Sequence, residues 1–200
     1  MDAQSRPDNA EPTLFSAIIT PHRSLSATGF TVVMALVATG FQLSAWAETT
    51  RKDVLVMARM ISFLSTRPTG PVSIAIVYAP ARAESKHDAD GLVATLGSGL
   101  TVGPLTLVPV LVPVDQLQQM DGATAALVTA GLDDDLDAIF RATAARKLVS
   151  LSTDFNCVRT ARCVVSVRSE PKVDIVVNRA AAEQSSVTFV AAVRLMITEI

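Results

Sequence analysis

The sequence holds few of the residues on which several classes of function depend. Its 200 residues include one Trp, one Tyr and two His, and no run of Lys or Arg exceeds two residues. The formal net charge is −2. Nucleic-acid surfaces need clustered positive charge that displaces counterions, or aromatic rings on which bases stack. We therefore expect no nucleic-acid partner.

Apolar residues, by contrast, make up half of the chain. That fraction is enough to bury a core of ordinary size, and it argues against disorder over most of the length. No internal repeat or low-complexity linker divides residues 48–200. We interpret this part of the chain as one domain.

A stretch without charged residues runs from Ser24 to Ala47 and is typical of a secretory leader. It has an apolar centre and ends Ser44-Ala45-Trp46-Ala47, with small residues where an A-x-A cleavage site has them. We expect export to the periplasm with cleavage after Ala47. The alternative is a retained inner-membrane anchor, since the stretch is long enough to span a bilayer but only weakly apolar.

Residues 1–47, a disordered start followed by this leader, carry a weak resemblance of their own over residues 13–34. Thr20-Pro21-His22-Arg23-Ser24-Leu25-Ser26, followed by Gly29-Phe30, resembles the opening of a bacterial inner-membrane family of unknown function. Either the start codon is placed too far upstream, or the leader was acquired from such a gene. His22 would be removed with the leader, so we expect no ligand role for it.

In the mature chain, hydrophobic periodicity predicts strands that alternate with helices. The predicted helices are 51–64, 85–96, 115–120, 133–147 and 190–200, and the predicted strands are 72–78, 105–112, 125–130 and a fourth from 148. A hairpin-like pair of strands follows the cysteines. Pro109 predicts an edge or a bulge in its strand, and Asp115 and Asn178 are candidate helix caps. The alternation indicates an α/β fold with a mainly parallel, Rossmann-like sheet flanked by helices.

Three patterns invite a catalytic or binding interpretation, and each has a structural explanation that we prefer. Gly97-x-Gly99-x-x-x-Gly103 follows a helix and precedes a strand, the reverse of a phosphate-binding loop, so we interpret it as a helix stop. Asp133-Asp134-Asp135-Leu136-Asp137 lacks the pattern of a calcium loop and favours a helix N-terminus. His87 is the one histidine of the mature chain, and no G-x-S-x-G elbow accompanies it. We expect a solvated His87, no catalytic residue, no metal site and no cofactor.

The two cysteines, Cys157 and Cys163, stand in a turn-rich segment between two apolar runs. Their spacing is that of neither a zinc site nor a thioredoxin motif. After export a disulfide is the default, and it would pin the connection to the predicted hairpin. The short loop that it closes stabilises by only about 2 to 2.5 kcal/mol. We therefore expect the bond mainly to order an exposed loop that presents Arg159 and Arg162.

Several segments agree in order and spacing with one known family. A first helix ends Arg59-Met60-Ile61-Ser62-Phe63-Leu64, a strand Ile74-Ala75-Ile76-Val77-Tyr78 follows, and a Leu-Ser-x-x-Asp segment precedes the cysteines. The clearest match is Val173-Asp174-Ile175-Val176-Val177-Asn178-Arg179-Ala180-Ala181-Ala182, with Val187-Thr188-Phe189 and Leu195-Met196 after it. Over residues 51–200 the chain resembles the YfiR/HmsC-like family of periplasmic regulators.

The resemblance implies a small periplasmic α/β domain without catalytic activity. Family members bind the periplasmic sensor domain of a membrane diguanylate cyclase and repress it, which lowers cyclic di-GMP and restrains biofilm formation. The disulfide state tunes that repression. The best-known members carry a second cysteine pair that this chain lacks, while Cys157 and Cys163 match the C-terminal pair with slightly shorter spacing. No partner-contact residue is carried over from the family; Arg159 and Arg162 are candidate partner contacts because they lie on the cysteine loop, and a homodimer is a further option.

A periplasmic small-ligand binder or transport accessory is the alternative function. Parallel sheets bind ligands at the carboxyl ends of their strands. Tyr78, Ser152, Thr153 and Asp154 stand at the ends of predicted strands and would line such a cleft. A hydrolase is the third option, but no nucleophile paired with a base is visible.

Overall fold

A computed structural model describes residues 49–200, in which five α-helices and eight β-strands are interleaved. The helices are α1 (Arg51–Ser62), α2 (Ala83–Leu96), α3 (Leu136–Ala145), α4 (Phe155–Arg159) and α5 (Arg179–Gln184). The strands are β1 (Gly70–Tyr78), β2 (Leu100–Val102), β3 (Leu105–Pro113), β4 (Ala125–Val128), β5 (Val149–Ser152), β6 (Val165–Arg168), β7 (Asp174–Val177) and β8 (Thr198–Glu199). Short 3-10 helices occupy Leu117–Met120, Asp133–Asp135 and Ala191–Leu195.

The eight strands form one sheet in the order β2-β3-β1-β4-β5-β6-β7-β8. Five neighbouring strands, from β3 to β6 in that order, run parallel. β2 pairs antiparallel with β3, β7 pairs antiparallel with β6, and β8 is parallel to β7. The central order is that of a doubly wound sheet whose direction of winding reverses beside β1. The predicted α/β fold with a mainly parallel sheet is confirmed.

The central strand β1 is buried on both faces, as its run of β-branched residues predicts. Ile74 and Ile76 lie in one apolar cluster with α1 and α2, while Ala75 and Val77 lie in a second cluster with α3. All four side chains are at most 1% exposed. Because successive strand residues point to opposite faces, this alternation places helices on both sides of the sheet.

The N-terminus of α1 is tied to the turn between β6 and β7 through one carboxylate. The Thr50 hydroxyl accepts the Asp53 N–H, and the Asp53 carboxylate accepts the Thr50 N–H at 2.9 Å, which is a capping box. The other Asp53 oxygen accepts the N–H of Ser169, which follows β6, at 2.7 Å. These bonds hold α1 beside the C-terminal part of the sheet.

Two predicted helix features are wrong. The chain end, predicted as a helix over 190–200, is a short 3-10 helix followed by β8. The Ile200 N–H donates to the Val177 carbonyl at 3.0 Å, so pairing with β7 overrides the local helix propensity of this short segment. Asp115 is not a cap either, because Gln116 precedes the 3-10 helix and makes no capping bond. Asn178 does cap α5, by accepting the Ala181 N–H at 2.9 Å.

The strand with Pro109 lies inside the sheet but has an open outer side over part of its length. β2 pairs with β3 only as far as Leu107. Beyond that residue, the outer side of β3 has no strand partner within residues 49–200. A proline cannot donate to a ladder, and this half-edge is a place where it is tolerated. The predicted edge character is therefore local.

The segment that the sequence predicts to meet a membrane lies before the described residues 49–200. The predicted signal peptide or anchor, with its cleavage site after Ala47, is outside the described residues, as is His22. Within residues 49–200, no helix combines the length and the apolar composition that crossing a membrane requires.

Candidate functional site

Cys157 and Cys163 form a disulfide, as predicted, with their Cα atoms 5.2 Å apart. Cys157 lies in α4 and Cys163 stands shortly before β6, and both side chains are 0% exposed. They belong to the apolar cluster that faces α3. The predicted exposed loop is wrong, because Phe155 and Val158 are buried and anchor the segment as a short helix. The bond joins that helix to the sheet inside the core.

The two candidate contact arginines differ in their surroundings. Arg159 is exposed, and its guanidinium lies 5.8 Å from the centre of the Phe155 ring. Arg162 is half-buried, pairs with the Asp137 carboxylate of α3 and donates to the Thr160 carbonyl at 3.3 Å. Arg162 therefore holds the cysteine turn against α3, whereas Arg159 faces solvent. Contact of either residue with a partner stays a prediction.

Two of the four predicted cleft residues, Thr153 and Asp154, line a cleft of about 450 Å³. Asp154 also caps α4, since it accepts the N–H of Asn156 at 2.8 Å. Ser152 and Tyr78 serve the fold. Ser152 is 1% exposed and donates to a carbonyl of β4 at 2.8 Å, while Tyr78 packs against the cluster of α1 and α2.

The crevice between the carboxyl ends of β1 and β4 is the switch point of this sheet, where doubly wound folds usually bind ligands. Side chains of α2 fill it here. Asp88, 3% exposed, accepts the N–H groups of Thr49 at 2.9 Å and Ala130 at 3.0 Å. The hydroxyls of Ser85 and Thr129 lie 2.7 Å apart. Side chains of the protein itself thus form the hydrogen bonds to the backbone N–H groups that follow β1 and β4 at the switch point.

Sequence reasoning missed the role of Asp88, which stands beside His87 in a polar stretch. The spacing of residues along α2 does indicate that Asp88 is buried. Ser85 and Asp88 share a helix face with Leu92 and Leu96, and all four are buried. A carboxylate on the apolar face of a helix is a group that must find buried partners.

The open cleft lies one strand further along, beyond the carboxyl ends of β4 and β5. Its lining residues are Glu84, Ala130, Gly131, Asp133, Thr153, Asp154, Phe155, Asn156, Arg159 and Arg168. The Arg168 guanidinium lies 4.6 Å from the centre of the Phe155 ring, which Arg159 also approaches. Neither arginine forms an ion pair with a carboxylate in the described part of the chain. The cleft therefore offers two guanidinium groups that are held by one ring.

A second surface, which combines residues of α1 with residues from β7 onward, is apolar. Val173 is 57% exposed, Leu195 93% and Met196 48%. Val173 and Met196 border a groove of about 310 Å³, which we call the apolar groove. Its lining residues are Val56, Arg59, Met60, Phe63, Val173, Ile175 and Met196. α1, β7 and the end of the last 3-10 helix thus meet at a surface with one charged lining residue.

The groups with a raised pKa are exposed members of surface ion pairs. A hydrogen bond to the Glu170 carboxylate raises the pKa of Lys52, and one to Glu199 raises that of Arg179. Lys86 has a raised pKa for the same reason, through the carboxylate four residues along α2. These residues line neither the cleft nor the apolar groove.

The three patterns with a structural explanation are placed as follows. Gly97 ends α2, and Gly99 and Gly103 flank β2 beyond it, so the interpretation as a helix stop is confirmed. Asp133 begins a 3-10 helix that leads into α3. His87 is exposed on α2. Within residues 49–200, no group of three or more His, Cys, Asp or Glu is arranged to hold a metal ion.

Comparison with known proteins supports the fold. No family model and no curated protein matches the sequence. A conserved domain protein from Vibrio cholerae O1 biovar El Tor is 16% identical, with a TM-score of 0.54 over 73% of this chain and 59% of that one. An ABC domain from Streptococcus pneumoniae, in complex with L-Trp, is 13% identical, with a TM-score of 0.54 over 76% and 62%. This chain spans about three fifths of the length of both. Such identities establish a shared fold and carry no activity across.

Proposed function

We propose that the protein is a non-catalytic periplasmic regulator that binds and represses the periplasmic sensor domain of a membrane diguanylate cyclase. Repression would lower cyclic di-GMP and restrain biofilm formation. The partner comes from the resemblance of residues 51–200 to the YfiR/HmsC-like family. The observation that carries a binding function is the apolar groove with its exposed rim.

Exposure of large apolar side chains next to one another favours an interface. Single exposed apolar residues are ordinary, whereas contiguous ones rimmed by polar residues mark binding surfaces. Val173, Leu195 and Met196 are about half or more exposed, and two of them border the groove. All three lie in the segments that carry the clearest family resemblance. Arg59 would stand at the polar rim of the contact.

The disulfide supports the proposal because it is linked to the segment that carries the groove. The Asn178 amide donates to the Val158 carbonyl of α4 at 3.0 Å, and its oxygen caps α5. Asn178 directly follows β7, the strand whose residue Ile175 lines the groove. Fixing α4 with the bond between Cys157 and Cys163 therefore fixes the end of β7. We expect reduction of the bond to weaken partner binding.

The test is direct binding of the protein, purified from the periplasm under oxidising conditions, to the periplasmic domain of a membrane protein with a GGDEF output domain encoded nearby. We expect binding by the wild type and a loss of at least about tenfold with Met196→Glu, since the variant loses an apolar contact and its charge must be desolvated when the groove is covered. Val110→Glu is the matched control, because Val110 is 39% exposed on β3 and lies outside the groove. Absence of binding by the oxidised wild type would sink the proposal.

A periplasmic small-ligand binder or transport accessory is the second candidate, and the cleft at the carboxyl ends of β4 and β5 favours it. One structure of the same fold is described in complex with L-Trp. Genes for a permease and an ATPase beside this one would support transport, whereas a gene for a membrane cyclase supports regulation.

A homodimer through the apolar groove is the remaining option. In light scattering the wild type would then show twice the mass of one chain, and Met196→Glu would show the mass of one chain.

A further inference from the structure

We propose that the cleft beyond β4 and β5 binds a small zwitterion, a molecule with both a carboxylate and an ammonium group. Arg159 and Arg168 would bind the carboxylate, and Glu84 would bind the ammonium group. The proposal goes beyond regulation of a cyclase and stands on residues that do not line the apolar groove.

The arginines are positioned for a carboxylate before any ligand arrives. Both guanidinium groups lie over the ring of Phe155, at 5.8 Å for Arg159 and 4.6 Å for Arg168. Such cation–π contacts limit the motion of a long side chain, so less entropy is lost when it binds. A guanidinium offers parallel N–H donors that match the two oxygens of a carboxylate. Phe155 is itself 6% exposed, so its ring is a fixed support.

The carboxylates of the cleft differ in how far they are engaged. Asp154 and Asp133 each accept a hydrogen bond from Asn156, at 2.8 and 2.9 Å, and so hold the start of α4. Glu84 has no ion pair with another residue of the described chain. It lies against Gly131, where an added Cβ would come within 3.1 Å of its carboxylate oxygen. The absence of a side chain at Gly131 thus allows the Glu84 carboxylate to lie against the backbone there.

The mixture of charges decides the class of ligand. A simple anion would meet the arginines together with three carboxylates, and a simple cation would meet two guanidinium groups. A molecule with both charges satisfies Arg168 and Glu84 at once. The cleft, at about 450 Å³, lies in the range of small-molecule sites and suits a molecule of amino-acid size.

The filled switch point explains why the site lies here. Asp88 and Ser85 take the crevice between β1 and β4 for the protein's own hydrogen bonds. The carboxyl edge of the same parallel strands stays open one position along, where Ala130 and Gly131 follow β4 and Thr153 follows β5. Ligand space at this edge is therefore shifted by one strand.

The experiment is thermal unfolding of the whole protein with each of the 20 common L-amino acids at millimolar concentration, and with acetate and methylamine as single-charge probes. We expect at least one amino acid to raise the melting temperature by about 3 °C or more, with acetate and methylamine inactive. Arg168→Gln and Glu84→Gln should each remove the shift. Arg141→Gln, an exposed position on α3 outside the cleft, should keep it.

The result that overturns the proposal is equally specific. No shift with any amino acid in the wild type, or a shift of unchanged size in both cleft variants, would exclude this site. If Arg168→Gln does not fold, Glu84→Gln alone decides, because the Glu84 side chain forms no ion pair with another described residue. Binding of the cyclase domain is measured separately, so either proposal can fail without the other.

Discussion

The central parallel strands and the C-terminal part of the sheet differ in how far their residues are buried. β4 and β5 are buried at every residue, and β1 is buried at five of its nine. β7 alternates between buried and partly buried residues, and both residues of β8 are exposed. Beside β8 the chain exposes Leu195 and Met196. The centre is thus saturated with internal contacts, whereas the C-terminal part keeps apolar surface available.

This difference indicates which parts of the molecule can still contribute contacts to a partner. A strand buried on both faces contributes to folding and has nothing to offer a partner. A short edge strand with apolar neighbours leaves backbone groups and side chains that can still be covered. The switch point, which many doubly wound folds use for ligands, belongs to the first class here because Asp88 closes it. We therefore propose recognition of a partner at the apolar groove, and of a small ligand at the cleft that is lined by residues following β4 and β5.

The largest effect on stability is expected from Ile76→Ala in β1. Ile76 is 0% exposed and lies in the cluster with α1 and α2, so its truncation leaves a cavity that the sheet cannot close. We expect a loss of about 3 to 4 kcal/mol in the free energy of unfolding. Urea unfolding measures it, with Ile76→Val as the control that removes one methylene. A loss below about 1 kcal/mol would show that the centre is not the rigid part of the molecule.

Asp88→Ala should follow, at about 2 to 4 kcal/mol, because it leaves the buried N–H groups of Thr49 and Ala130 without their acceptor. Asp88→Asn keeps one oxygen and should cost less. Asp90→Ala, which removes an exposed carboxylate of the same helix that makes a surface ion pair with Lys86, is the control. A variant Asp88→Ala as stable as the wild type would mean that the switch point is open space and that our comparison is wrong there.

The parallel sheet could be predicted from the sequence, whereas the roles of Asp88 and of the chain end could not. The run from Ile74 to Val77 identifies a buried strand by composition alone, because both faces are apolar. The helical spacing of Asp88 with Leu92 and Leu96 indicates its burial, but its partners, the N–H groups of Thr49 and Ala130, are distant in sequence. Leu195 and Met196 fit a helical pattern, but the hydrogen bonds of β8 decide their structure. Local pattern specifies elements, whereas partners distant in sequence specify the site.

Removal of the disulfide tests the link between the centre and the C-terminal part. In Cys157→Ala/Cys163→Ala we expect a loss of about 2 to 2.5 kcal/mol, which is the loop-closure contribution of this short loop. Both side chains are buried, so alanine avoids an unpaired polar group. Urea unfolding of the wild type with and without reductant gives the same comparison without mutation. The affinity for the cyclase domain should fall in parallel, and an unchanged affinity would separate α4 from the groove.

The smallest effect on stability is expected from Leu195→Ser, which separates a contribution to binding from a contribution to folding. Leu195 is 93% exposed, so its truncation removes almost no buried surface, and the free energy of unfolding should change by less than about 0.5 kcal/mol. If Leu195 belongs to the binding surface, affinity for the cyclase domain should still fall by about tenfold or more, since a leucine side chain buried at an interface contributes about 1.5 to 3 kcal/mol. Val110→Ser, at an exposed apolar position on β3, should leave that affinity unchanged. Equal affinity of both variants would mean that the exposed C-terminal residues are not a docking surface, even though they lie outside the core.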